Sequence, residues 1–248
     1  MHTAEAEADL ATALDALPEP LVVWWRDDDA GRDHPRLHRL LALAADHDID
    51  LALAVVPGWL EETAAAAVEA CPRATVLQHG ITHRDHARPG GKKIELGGAA
   101  PPDLLADGLA TGRDRLKARF GERFLPVLVP PWNRIDAALA ESLPALGYQG
   151  LSTFGPRPAT PPLRRVNNTH LDLIAWRDGR RPLTLPETLA GLTALARQAP
   201  RDEPVGILTH HLVMDRAAFD VLDHLFPILQ NHPKALLAGA RTLFGIDG

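Results

Sequence analysis

Short apolar runs and amphipathic stretches take turns along this chain. Residues 20–26 (PLVVWWR) are β-branched and aromatic and stop at three aspartates and Ala30-Gly31, which predicts a buried strand followed by a loop. Over residues 35–45, Leu37, Leu40, Leu41, Ala44 and Ala45 recur at helical spacing. Residues 50–56, 74–78, 124–129 and 204–209 read as further buried strands, 148–153 as another, and 171–176 as a weaker one. Between them, 60–71, 103–120, 135–146, 186–198 and 219–230 read as helices. Residues 155–165 are proline-rich and irregular, and 234–244 fit neither pattern cleanly.

Strand and helix thus alternate about seven times, the pattern of parallel strands with helices outside. The expected architecture is α/β, a distorted barrel of seven or so β/α units. An open doubly wound sheet is the runner-up, weakened because no G-x-G-x-x-G follows the first strand. Residues 155–162 are the best linker candidate, but the strands after them fit one barrel, so a single domain is expected over residues 1–248, with its core at about 20–215.

Composition narrows the classes. The 248 residues are 46% hydrophobic and 23% charged, ordinary for a globular domain. A net charge of -6 gives no global basic surface, so nucleic acid is not an expected partner. No apolar run approaches the roughly 20 residues that span a bilayer. Residues 1–17 lack the basic and apolar regions of a secretory leader, so no membrane and a cytoplasmic location are expected. The lone Cys71 excludes an internal disulfide and a cysteine zinc cage.

Position gives the polar residues their meaning. Asp27, Asp28 and Asp29 end the first strand, and His79 opens the loop after the third. Pro130-Pro131-Trp132-Asn133 and His210-His211 follow two later strands. In a parallel barrel all strand C-termini open on one face, where active sites assemble. His79 and His83 are four apart, so a helical first turn would project both imidazoles the same way. Two imidazoles and a carboxylate form a common catalytic metal set with open positions for water. His34 and His38 share the spacing but lie along a helix, away from any strand end, and read as surface or interface residues. The aspartates abut a buried strand and need a counter-charge, which a cation or Arg26 could supply. His210 suits a proton donor near neutrality. Gly90-Gly91-Lys92-Lys93 lacks phosphate-loop spacing and reads as a mobile basic lid.

These motifs, in this order, resemble the polysaccharide deacetylases (carbohydrate esterase family 4) over about residues 20–215. Arg26-Asp27-Asp28-Asp29 resembles the first motif, His79-Gly80-Ile81-Thr82-His83 the second, Pro130-Pro131-Trp132-Asn133 the third and Leu208-Thr209-His210 the last. Val129 stands where an arginine often precedes the third motif, and Asp172 and Trp176 match the fourth only loosely. The resemblance implies a distorted barrel, with Asp29, His79 and His83 as metal ligands, Asp28 as general base and His210 as acid. Two other registers of the aspartates remain open, Asp28 with Asp27 and Asp29 with Asp27. Pro131, Trp132 and Asn133 would line the substrate pocket, with an oxyanion held by a backbone N–H near Trp132-Asn133. The implied cofactor is a divalent metal, zinc first, with cobalt, manganese or nickel as alternatives. The expected activity is hydrolysis of a non-peptide C–N amide, as in N-deacetylation of a sugar or polysaccharide. Small amides or ureides are the alternative substrates, and a non-catalytic carbohydrate-binding module is the alternative of another class.

Overall fold

The alternation resolves into a curled sheet of parallel strands wrapped by helices. The computed structural model describes residues 2–198 and 202–246. In chain order the elements are α1 (Thr3–Asp15), β1 (Leu21–Ala30), α2 (Pro35–Asp46), β2 (Leu51–Val55), α3 (Glu62–Ala70) and β3 (Ala74–His79). Then come α4 (Pro102–Phe120), β4 (Phe124–Val129), α5 (Ala137–Ser142), β5 (Gly150–Leu151), β6 (Leu171–Asp172), β7 (Ile174–Ala175) and β8 (Arg181–Pro182). The last are α6 (Leu185–Gln198), β9 (Val205–Thr209), α7 (Arg216–Gln230), β10 (Ala235–Leu237) and α8 (Ala240–Phe244).

The strand order is β5-β4-β3-β2-β1-β9-β6, every pairing parallel, with β10 beside Leu21–Val23 at the start of β1. Parallel bridges join Leu151 to Val166 and Phe154 to Thr169 before β6 reaches β9. Residues 166–172 therefore cross from one free edge of the sheet to the other and close the curl. This is the expected distorted (β/α)7-type barrel. β7 and β8 form a separate antiparallel hairpin.

Period-two alternation sorts the strands into two cores. Val23 and Trp25 of β1, with Leu51, Leu53 and Val55 of β2, face the helices, where Leu37, Leu40, Leu222 and Phe226 cover them. Trp24, Ala52 and Ala54 face the interior with Leu77, Leu125, Val127 and Val129, and Phe244 of α8 packs edge-on to Trp24 at 6.1 Å. Small alanines on β2 leave room inside the barrel for an indole.

The two ends of the chain depart from the expectations. The N-terminal residues, outside the predicted elements, form α1, which buries Ala6, Leu10, Ala13 and Leu14 and lies against α6. The ambiguous 234–244 stretch resolves into β10 and α8, so the fold continues past residue 215. Among the described residues, no helix is long and apolar enough to cross a membrane.

Candidate active site

β1 does not stop at Arg26, where a loop was expected. It runs on through the three aspartates because its neighbours continue on both sides, Thr209 of β9 and Leu53 of β2 pairing with Asp27 and Val55 pairing with Ala30. Alternation then separates the acids. Asp27 shares the outward face with Trp25, and there Thr209 Oγ1 (2.7 Å), His211 N–H (3.0 Å) and His211 Nδ1 (2.5 Å) surround its carboxylate. Asp28 shares the inward face with Arg26, whose Nε and Nη2 approach its two oxygens at 2.8 and 3.0 Å. The register slips between Asp27 and Ala30, and Asp29 adopts φ 72°, a left-handed conformation that re-aims its side chain to the mouth.

Arg26 is fully buried. Its remaining donors reach Ser152 Oγ (2.6 Å), the Thr153 carbonyl (3.2 Å) and Asn133 Oδ1 (3.0 Å). A fork anchored at these points gives Asp28 one orientation and a fixed counter-charge. Val129, where the resemblance expects an arginine, is buried in the barrel core, and the guanidinium facing Asp28 is that of Arg26 on β1.

His79 is the last residue of β3, and its Nδ1 lies 2.9 Å from the Val129 carbonyl, which leaves Nε2 pointing into the mouth. Residues 80–83 are not the helical turn expected from the four-residue spacing; they form an irregular loop, with Gly80 at φ 57° and His83 at φ 60°. The loop is tied together by Glu95, a fully buried acid that the sequence reading did not single out. Its carboxylate accepts from the backbone N–H of Ile81 (3.0 Å), Thr82 (2.7 Å) and Arg84 (3.2 Å), and from Thr82 Oγ1 (3.1 Å). Gly80 is obligatory here: a Cβ would run into Glu95 Oε2 and come within 2.6 Å of the Pro131 ring. The one sequence hint of Glu95 is an acid held between Ile94 and Leu96.

Asp29, His79 and His83 each offer a ligand atom, and these atoms all lie within 4.8 Å of one another. Asp29 Oδ1 stands 3.2 Å from His79 Nε2 and 3.1 Å from His83 Nε2. Donors at 2.0 Å around a tetrahedral ion sit about 3.3 Å apart, so the group fits a divalent metal. Asp29 Oδ1 is buried without a well-formed hydrogen bond, as a ligand atom held for a cation would be. Burial alone would raise the Asp29 pKa, but contacts from His79 and then His83 hold it well below the usual carboxylate range. Burial pulls His79 down, and the charges of Asp28 and Asp29 outweigh it and raise its pKa. Trp59 and Trp132 flank the His83 ring at 5.2 and 4.5 Å. Asp29, His83, Trp132 and Asn133 all have positive φ, so left-handed non-glycine backbone gathers at this mouth.

His210 enters from the end of β9. Its Nδ1 lies 3.6 Å from Asp172 Oδ1, while Trp176 donates Nε1–H to Asp172 Oδ2 at 2.7 Å and packs edge-on to the imidazole at 4.9 Å. The loosely matched Asp172 and Trp176 are thus neighbours of His210 in space. Burial would depress the His210 pKa, but Asp172 first, then Asp28 and Asp29, push it up to about 9. Pro131 is buried beside Gly80, Trp132 covers His83, and the Asn133 side chain is engaged by Arg26. His34 caps α2, accepting from Arg36 N–H, and His38 pairs with Asp33; both lie outside the site.

No family profile and no curated protein sequence matches this chain. Its structure is similar to a peptidoglycan N-acetylglucosamine deacetylase in complex with a hydroxamate (TM-score 0.63, 15% identity, 93% of this chain and 90% of that one). It is also similar to a family 4 acetyl xylan esterase from Clostridium thermocellum in complex with a cobalt ion (TM-score 0.60, 16% identity, 91% of each chain). A third similar structure is a carbohydrate esterase family 4 pseudoenzyme from Bacillus anthracis (TM-score 0.60, 13% identity, 92% of this chain and 66% of that one). The fold is that of the carbohydrate esterase family 4 deacetylases.

Proposed function

We propose that this protein is a metal-dependent hydrolase of non-peptide C–N amides, removing an N-acetyl group from a sugar or polysaccharide. The observation that carries the reading is the buried Asp29 oxygen facing two imidazoles, with Arg26-held Asp28 beside it and His210 close enough to sense both acids. The residues that would hold the metal are Asp29, His79 and His83, with zinc the first candidate and cobalt, manganese or nickel as alternatives. Such an ion supplies Lewis acidity and a water nucleophile at neutral pH.

The chain's own groups do the proton work. Asp28, oriented by Arg26, accepts a proton from the attacking water at a carboxylate oxygen. His210, with Nδ1 turned to Asp172, donates from Nε2 to the departing amine, which is a very poor leaving group unless protonated. The Asn133 N–H is already given to the Pro130 carbonyl, which leaves that of Trp132 to steady a developing oxyanion. Pro131, Trp132 and Asn133 form the wall against which the acyl group rests.

The test is a pair of variants assayed for metal content and amine release. His79→Ala should lose both metal and turnover, and His210→Ala should keep the metal and lose turnover. Wild-type protein that binds no zinc, cobalt or manganese, and releases no amine in their presence, would end the proposal.

A further inference from the structure

Three tryptophans at the mouth repeat one arrangement. Trp59 and Trp132 touch the His83 ring and Trp176 touches the His210 ring, at 5.2, 4.5 and 4.9 Å. Each also carries a cation over its face: Arg32 over Trp59 at 4.5 Å, Lys93 over Trp132 at 5.6 Å and Arg180 over Trp176 at 5.8 Å. The cations come from loops after three different elements, β1, β3 and β7, and all three are exposed. Among the described residues, none has a carboxylate within ion-pairing distance.

The nearby acids on these loops make their direct contacts with other groups. Asp33 pairs with His38, and Asp178 pairs with Arg181. Asp85, which feels Lys93 at longer range, accepts at Oδ1 from the backbone N–H groups of Ala87 and Ile94. The Lys93 segment is moreover docked, since Arg134 Nη1 donates to the Lys93 carbonyl at 2.8 Å. Three cations thus stand around the mouth of a chain with net charge -6 without a direct carboxylate partner, one indole away from His83 and His210. Fields from such a ring raise the local concentration of anions.

We infer that the substrate is an anionic amide: an N-acylated compound bearing carboxylate, sulfate or phosphate groups beside the scissile bond. The inference rests on the hydrolase reading and specifies its substrate class. Arg32, Lys93 and Arg180 are the specificity residues, each held upright by its tryptophan and free to pair with a substrate charge. A purely structural role for the cation–indole stacks would leave selectivity for charge unaffected.

Zinc-loaded protein is assayed for amine release from N-acetylglucosamine and from three charged probes: N-acetylmuramic acid, N-acetylglucosamine 6-sulfate and N-acetylglucosamine 6-phosphate. The same compounds are titrated in parallel against intrinsic tryptophan fluorescence. A unit charge about 6 Å from another in water changes binding about threefold, so three cations give roughly a tenfold preference after screening. The kcat/KM ratio of the best charged probe over the neutral one should be about ten. It should fall at high salt and approach one in the combined Arg32→Gln, Lys93→Gln and Arg180→Gln variant; which probe leads identifies the anionic group. A ratio at or below one in wild type, or one unmoved by the triple substitution, overturns the inference. Failure of every probe to release amine would count against the hydrolase reading, and fluorescence would still judge the charge preference. Tighter binding of a charged probe, lost in the triple variant, supports it; equal binding of charged and neutral compounds overturns it.

Discussion

Consider the removal of the Asp27 carboxylate. Asp27 and His211 are both fully buried, and the Asp27 oxygens satisfy three donors, His211 Nδ1, His211 N–H and Thr209 Oγ1. Thr209 Oγ1 in turn accepts from Trp25 Nε1 at 2.9 Å, so the carboxylate closes a network tying β1 to β9 directly beneath the site. In Asp27→Ala the fully buried imidazole and an amide N–H lose their acceptor. Breaking a buried pair by deleting one partner costs about 3–5 kcal/mol. For a chain of this length each kcal/mol lowers Tm by about 2–4 °C, so a fall of about 6–20 °C is expected in a calorimetric scan. The outward position of Asp27 makes a second claim: below its melting range the variant should keep one metal per chain, measured by elemental analysis, whereas Asp29→Ala should not. A drop of under about 2 °C, or an intact fold that has lost its metal, would show that Asp27 belongs to the ligand set and that the strand register is misread.

Four further outcomes are expected. Gly80→Ala should weaken metal binding at least tenfold in a chelator competition, because the new Cβ displaces Glu95 from the backbone that carries His83, on top of about 1–2 kcal/mol for a left-handed alanine. Arg26→Lys should retain the metal and lose about a hundredfold in turnover, since an ammonium cannot hold Asp28, Ser152 and Asn133 together. His210 should titrate near pH 9 in metal-free protein by ring-proton NMR. Its raised pKa contributes stability that is complete below about 6.5 and is lost as pH rises through about 9. Asp172→Asn should move that titration, and the basic limb of the turnover profile, about one unit lower.

Strand–helix alternation is a local property of side-chain period, and it is enough to place Asp28, Asp29, His79 and His210 at strand ends. Parallel strands bring all such ends to one face, so the common mouth followed from the sequence as well. Asp172 and Trp176 were visible only as a loose match, because what makes them partners of His210 is the pairing of β6 with β9. Glu95 carried no readable spacing, since its ligands are backbone amides that any residue possesses.

From its order of apolar runs alone, the chain determined parallel strands wrapped by helices and the end of them where the polar clusters meet. Only the folded backbone decided which aspartate faces which way, because a register slip and a left-handed residue at Asp29 override simple alternation. It also replaced the expected helical turn after β3 with a loop wound around one buried carboxylate. Periodicity is set by neighbours in sequence. The aim of a ligand is set by neighbours in space.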